Sequence, residues 1–166
     1  MCGVVIYREG VEIAQQCGGH AGTTNNQMEL TALLVAIERA GQLSGNSGEL
    51  VTIWSDSQYC VNGVNEWLAG WKRNGWNRKK PNSPNRAACE IKNLELWQAI
   101  DAVLGDALTT STLAIRWVKG HAGIAGNERA DELAEMGRQE AIEMRAGLLT
   151  SSDDLDARYR QIMGAA

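Results

Sequence analysis

Residues 50–58, LVTIWSDSQ, decide the architecture of this chain. Leu50, Val51, Thr52, Ile53 and Trp54 form a short, β-branched apolar run of strand length. Ser55 and Asp56 end it, and helical patterns follow from about Ser57 to Lys72, with a break expected near Gly63. A strand running straight into helices indicates helices packed on a sheet, an arrangement whose ligands gather at the carboxyl ends of strands. Asp56 stands at such an end.

Working upstream, Gly3–Tyr7, a Glu9–Gly10 turn and Val11–Cys17 predict a β-hairpin, closed off by Gly18, Gly19 and Gly22. Thr24 then opens a helix. The spacing of Thr24 and Gln27 is that of a capping box, in which the two side chains satisfy free backbone N–H groups. Leu30, Leu33, Leu34 and Ile37 recur at helical spacing and predict one buried stripe, with Glu29 in the first turn at its edge. Downstream, a helix is expected from about Asn93 to Leu104 and a strand over Leu113–Val118. That strand ends in Lys119-Gly120-His121-Ala122-Gly123, so His121 also follows a strand end. Asn127 predicts the N-cap of the next helix, whose inward face is Ala130, Leu133, Ala134 and Gly137. Ser151–Asp154 would cap a short helix reaching Met163.

At 166 residues the chain fits one domain with a core of its own. It has no apolar run near the ~20 residues of a membrane span, and its first ten residues lack the pattern of a signal peptide. Cys2, Cys17, Cys60 and Cys89 are irregularly spaced with no CxxC pair, so neither a zinc site nor a disulfide framework is expected. A reduced, cytoplasmic protein is the simplest reading. The net charge of −4 argues against a nucleic-acid partner only as an average. Between Trp71 and Arg86 lie Lys72, Arg73, Arg78, Lys79, Lys80 and Arg86 with no acid among them. Such a block is often just a solvated face, but Trp71 and Trp76 interleave with it, and indoles beside cations can pack on sugars and bases.

Three acids stand out by position: Glu29, Asp56 and Asp131. Each has an ordinary explanation, since Glu29 and Asp131 lie near helix N-termini that favour negative charge, and Asp56 could be an N-cap. Together they suggest more. Carboxylates converging from separate elements repel one another unless a cation or shifted pKa values relieve them, and an oxygen-only set suits Mg²⁺ or Mn²⁺. Spacing alone leaves open whether they converge.

Four blocks supply that step by resemblance. TTNNQMEL (23–30), SDSQYCVNGVNEWLAGWKRNGW (55–76), KNLELW (92–97) and RWVKGHAGIAGNERADELA (116–134) resemble, in order, the signatures of bacterial-type (type 1) ribonuclease H. The resemblance covers most of Gly3 to Met136. It implies an endoribonuclease that cuts the RNA strand of RNA–DNA hybrids with two Mg²⁺ or Mn²⁺ ions, which activate a water and stabilise the leaving oxygen. Glu29, Asp56 and Asp131 then match three of the family's four metal-binding carboxylates. His121 matches a mobile histidine that assists proton transfer or product departure. Asn25, Asn26 and Gln58 match residues that read the minor groove, including RNA 2′-hydroxyls. Thr24 and Asn93 match a pocket for a DNA-strand phosphate. Trp71, Lys72 and the basic segment match a protrusion, or handle, that grips the hybrid backbone without reading bases.

The expected fold is α/β: a ribonuclease H-like mixed sheet flanked by helices. In the family, a central strand carrying the fourth carboxylate and an asparagine-bearing turn precede the strand matching Gly3–Tyr7. Met1 comes too late to include them, so the first strand and its aspartate are expected to be absent, leaving two strand edges unpaired. The expected organisation is an N-terminally incomplete ribonuclease H domain over residues 1–140, a handle at about 67–92, and a C-terminal extension over 141–166. Gly22 replaces a frequent arginine, and the handle between Trp76 and Asn93 is long and contains Pro81 and Pro84. Full activity is expected to require the upstream strand; the alternative is a catalytically inactive hybrid-binding module. A monomer with no membrane contact is expected.

Overall fold

The computed structural model describes residues 2–18, 22–44, 50–78, 89–110, 112–145 and 161–162. Strands β1 (Cys2–Arg8) and β2 (Val11–Gly18) form the antiparallel hairpin. Glu9 and Gly10 turn it with φ of 53° and 79°, the left-handed pair that matches the twist of two-residue hairpins. Helix α1 (Asn25–Ser44) follows, then β3 (Leu50–Ser55). Helical structure runs unbroken through α2 (Gln58–Asn62), a π-helical segment (Gly63–Trp67) and α3 (Leu68–Arg73). Helix α4 (Leu94–Thr110), β4 (Thr112–Trp117) and α5 (Ala125–Arg145) complete the described elements.

The sequence expectations need four corrections. The break near Gly63 is a π-helical segment, because Gly63 takes helical angles (φ −55°, ψ −50°) and the chain gains an extra residue there without leaving the helix. Helix α4 continues past Leu104 to Thr110. Helix α5 begins at Ala125, so Asn127 lies inside it and is not its N-cap. Glu29 falls in the second turn of α1, with no acid in the first. Helix α5 itself continues to Arg145. The short C-terminal helix and its Asp153, Asp154 and Asp156 lie outside the described residues, apart from helical Gln161 and Ile162; Ile162 packs against the main core. Lys79, Lys80, Pro81, Pro84 and Arg86 of the handle also lie outside them.

The strands form two separate pairs. β1 pairs with β2, and β3 pairs with β4 in parallel register from Leu50↔Thr112 to Ser55↔Trp117. Among the described residues no ladder joins β1 to β3, so each presents an edge to the space between the pairs. Helix α1 packs against both β1 and β3 and also lies along α4. Its stripe of Leu30, Leu33, Leu34 and Ile37 is buried with Leu96, Trp97 and Ile100 of α4. Each fully buried side chain of this size contributes about 1.5–3 kcal/mol relative to an exposed one, so the α1–α4 interface is the main core.

Helix α5 covers the hairpin. A Cβ on Gly3 would meet Ala130 O at 2.2 Å, and one on Gly137 would meet Gly18 N at 2.7 Å. These two glycines let helix and strands approach backbone to backbone, as the expected inward face of α5 requires. Arg129 fastens the same contact through Gln15 and through Glu12, 3.4 Å away. On the β3–β4 pair, Ile53 and Ile115 face the core while Leu50 and Trp54, 66 % and 59 % exposed, stand on the outer face. That alternation fits strands covered on one side.

Candidate active site

The site lies where β3 and β4 end and α1, α2 and α5 begin. Ser57, not Asp56, caps α2: its side-chain oxygen accepts the Cys60 N–H at 3.3 Å. Removing the capping role from Asp56 leaves its exposed carboxylate for other work. The Asp56 carbonyl accepts the Trp117 indole N–H at 3.1 Å, which fastens the end of β3 to the end of β4. Gly120 then passes against the Asp56 side chain, since a Cβ there would lie 2.7 Å from Oδ2.

Glu29 reaches the same turn from α1. The Ser57 hydroxyl donates to Glu29 Oε2 at 2.5 Å. Glu29 therefore sits in a specific contact between two elements, which an interaction with the helix macrodipole alone would not require. Cys60, buried behind them, has its thiol pushed up to about 12. Burial is the main cause; the hydrogen bond with Ser57 opposes it, and the negative charges of Glu29 and Asp56 add to it. Both carboxylates are thus close enough to act on one thiol.

Asp131 enters from the second turn of α5. His121 Nδ1 lies 3.1 Å from Asp131 Oδ2, and Asn127 Nδ2 donates to the same oxygen at 3.3 Å. Partial burial raises the Asp131 carboxyl above the ordinary carboxylate range; His121 lowers it, while Asp56 and Glu128 raise it further. The loop carrying His121 is held by Glu128, whose Oε1 accepts the Gly123 N–H at 3.2 Å. His121 itself has φ 51° and a side chain 82 % exposed, so its ring projects from a turn into solvent.

The structure thus brings Asp56 within electrostatic reach of Asp131 and links Glu29 to the residue after Asp56. It does not close the three into a ready coordination shell: among the described residues, no group of three or more His, Cys, Asp and Glu is placed to hold a metal ion. The donor set fits a hard divalent cation by chemistry, being all carboxylate oxygen. The negative charge of Asp56, which adds to the effect of burial on Asp131, is of the kind such a cation offsets.

Other expected site residues sit at the starts of helices, where free N–H groups suit anions. Thr24 and Gln27 form the reciprocal capping box of α1, with the Thr24 N–H donating to Gln27 Oε1 at 2.8 Å and the Gln27 N–H to Thr24 Oγ1 at 3.3 Å. Asn25, Asn26 and Gln58 are exposed in the first turns of α1 and α2. Asn93, at φ 58°, precedes α4, and its carbonyl accepts the Trp97 N–H. Lys72 is exposed but pairs with Asp101 at 2.8 Å. Trp71 is not a surface platform: it is 8 % exposed, with its ring centroid 5.4 Å from that of Trp97 and 5.7 Å from that of Trp67. The basic neighbours suggested an outward indole, whereas its helix face turns it into an aromatic cluster.

Sequence reasoning did not single out Ser57, Gly120 and Asn127 as site residues. A serine immediately before a helix was a legible capping signal. The Gly120 and Asn127 contacts depend on elements distant in sequence and had no local sign.

The family model described as RNase H matches residues 1–139. The chain is 43 % identical over 133 residues to the Ribonuclease H of Neisseria gonorrhoeae, covering 80 % of this chain and 81 % of that one. It is 42 % identical over 138 residues to the Ribonuclease H of Paracidovorax citrulli, covering 83 % of each. Among solved structures, the RNase H domain of PFV superposes with a TM-score of 0.61 at 25 % identity, covering 82 % of this chain and 78 % of that one. LC9-RNase H1, described as a type 1 RNase H with the type 2 active-site motif, matches with a TM-score of 0.53 at 33 % identity, covering 72 % of this chain and 50 % of that one.

Proposed function

Because the chain belongs to the ribonuclease H family, whose chemistry depends on a divalent metal, we propose that Glu29, Asp56 and Asp131 are its metal-binding carboxylates. The protein is an endoribonuclease that hydrolyses the RNA strand of RNA–DNA hybrids. The observation that carries the assignment is the Ser57–Glu29 hydrogen bond, which draws Glu29 to the turn that holds Asp56, while the negative charge of Asp56 also acts on Asp131. Mg²⁺, or Mn²⁺ in its place, would supply activation of the attacking water and neutralisation of the leaving oxygen, in the family's two-ion manner.

The chain's own residues do the rest. Asp56 and Asp131 approach from β3 and α5 and place negative charge where a cation and a phosphodiester can meet. His121, with Nδ1 turned to Asp131, presents Nε2 away from it, where it can take or give a proton as product leaves. Asn25, Asn26 and Gln58 meet the minor groove and its 2′-hydroxyls, the group that separates RNA from DNA. Thr24 and Asn93 hold a phosphate of the DNA strand, and Lys72 with the basic segment follows the backbone. Trp71 contributes from inside, by fixing the helix from which Lys72 projects.

The test is cleavage of a hybrid labelled on either strand, with and without Mg²⁺. Shortening of RNA alone, only with metal, and its loss in Asp56→Asn support the assignment; equal activity of Asp56→Asn overturns it. A second reading, a hybrid-binding module without catalysis, is favoured by the unpaired β1 and β3 edges and by the absence of a closed carboxylate trio among the described residues. It is separated by adding an aspartate-bearing strand ahead of Met1. Cleavage gained on addition supports a catalytic centre completed by that strand, and hybrid binding with no cleavage by either form supports the module. No helix among the described residues is long and apolar enough to cross a membrane. A cytoplasmic monomer is the accompanying reading, and the irregular spacing of Cys2, Cys17, Cys60 and Cys89, without a CxxC pair, fits a reducing compartment.

A further inference from the structure

We propose that Ser57 is a positioning residue for Glu29, holding its carboxylate in the orientation that binds the metal; this rests on the reading of Glu29 as a ligand. Ser57 is 7 % exposed and one of two buried polar side chains among the described residues. A hydroxyl has one proton to donate and two lone pairs to accept with. At Ser57 a lone pair is taken by the Cys60 N–H, and the proton goes to Glu29 Oε2 at 2.5 Å. The direction of the second bond follows from chemistry, because an ionised carboxylate only accepts. Ser57 is itself held by its own N–H, which donates to Ser55 Oγ at 3.2 Å. The hydroxyl that caps α2 is therefore anchored before it meets Glu29, and Asp56 is its immediate neighbour. One short turn sets the placement of two carboxylates.

A capping role alone would also explain a serine here, and the two roles separate by substitution. Glycine is nearly as good an N-cap as serine, whereas alanine is poor. Neither can donate to Glu29, and threonine can do both. Mn²⁺ binding to the substrate-free protein is measured by calorimetry beside the thermal midpoint. We expect Ser57→Gly and Ser57→Ala to weaken Mn²⁺ binding alike, by about 10-fold, the low end for loss of a group that orients a ligand. The midpoint should fall clearly only for Ser57→Ala, and Ser57→Thr should restore binding. In a Glu29→Gln background, Ser57→Gly should add no further loss. The proposal is overturned if affinity follows stability, with alanine impaired and glycine intact, or if Ser57→Gly costs as much with Glu29 already replaced. Mn²⁺ binding unchanged by Glu29→Gln alone would instead remove Glu29 as a ligand, and the proposal with it.

Discussion

Gly120 and Asp56 are in contact across the mouths of two parallel strands: a methyl group at residue 120 would sit 2.7 Å from Asp56 Oδ2 and 3.4 Å from its Cβ. The loop after β4 therefore shapes the space open to the carboxylate that ends β3.

Gly120→Ala should turn the Asp56 side chain aside. Rotation of an exposed carboxylate is cheap, so the thermal midpoint should move by less than about 2 °C. A reacting group misplaced by about 1 Å can cost on the order of 100-fold in rate. We expect kcat on a labelled hybrid to fall at least about 10-fold at nearly unchanged stability. A large stability loss with normal turnover per folded molecule would contradict this.

Gly63→Ala should do the opposite. Its Cβ would lie 2.0 Å from Trp97 Cη2, and Trp97 is fully buried. Alanine gains about 1 kcal/mol over glycine in a helix, but overpacking a rigid core costs about 1–3 kcal/mol or more. At 2.0 Å the clash wins, and urea unfolding should show a net loss of about 2 kcal/mol.

Asp131→Asn should abolish cleavage yet stabilise the metal-free protein near neutrality. The folded-state pKa of Asp131 is raised, so its contribution to stability is full below the ordinary carboxylate range and is lost as pH rises through the raised value. Asparagine escapes that loss. Thermal unfolding in EDTA should show the variant ahead by about 1 °C at pH 7, small because solvent screens so open a site, and level with the parent at about pH 3.5.

Asp101→Asn should release Lys72 from its ion pair. If Lys72 grips the hybrid backbone, affinity at low salt should rise by about 2-fold. The slope of log K against log salt should steepen by up to about 0.9, the value of one added phosphate contact. An unchanged slope would mean that Lys72 does not reach the nucleic acid.

The hairpin turn, the Thr24–Gln27 box, the α1 stripe and both strand ends were legible because their signals are local. Glu9–Gly10 needs a positive φ, Thr24 needs Gln27 three residues on, and Leu30 to Ile37 repeat within one helix. Errors arose where tertiary packing overrode composition. Gly63 looked like a helix breaker, but close approach to Trp97 requires a residue without a side chain there. Trp71 looked like a surface indole because cations flank it in sequence, although the helix turns it toward Trp97. Asn127 has the chemistry of an N-cap, yet its amide is engaged one turn on by Asp131. The three carboxylates stood out by position, but their convergence could be read only by resemblance, since no spacing rule links α1, the end of β3 and α5.

The division of the strands into two pairs reaches beyond the site. A continuous sheet would transmit disruption of one strand through shared backbone hydrogen bonds, but β1–β2 and β3–β4 have none in common among the described residues. The hairpin under α5 can therefore open without breaking a rung of the other ladder, and α1, packed on both, is a mechanical link between them. Cooperativity between the ladders then depends on side-chain contacts, along α1 and at the His121–Asp131 pair, so the protein should have two amide-exchange regimes, one for each ladder.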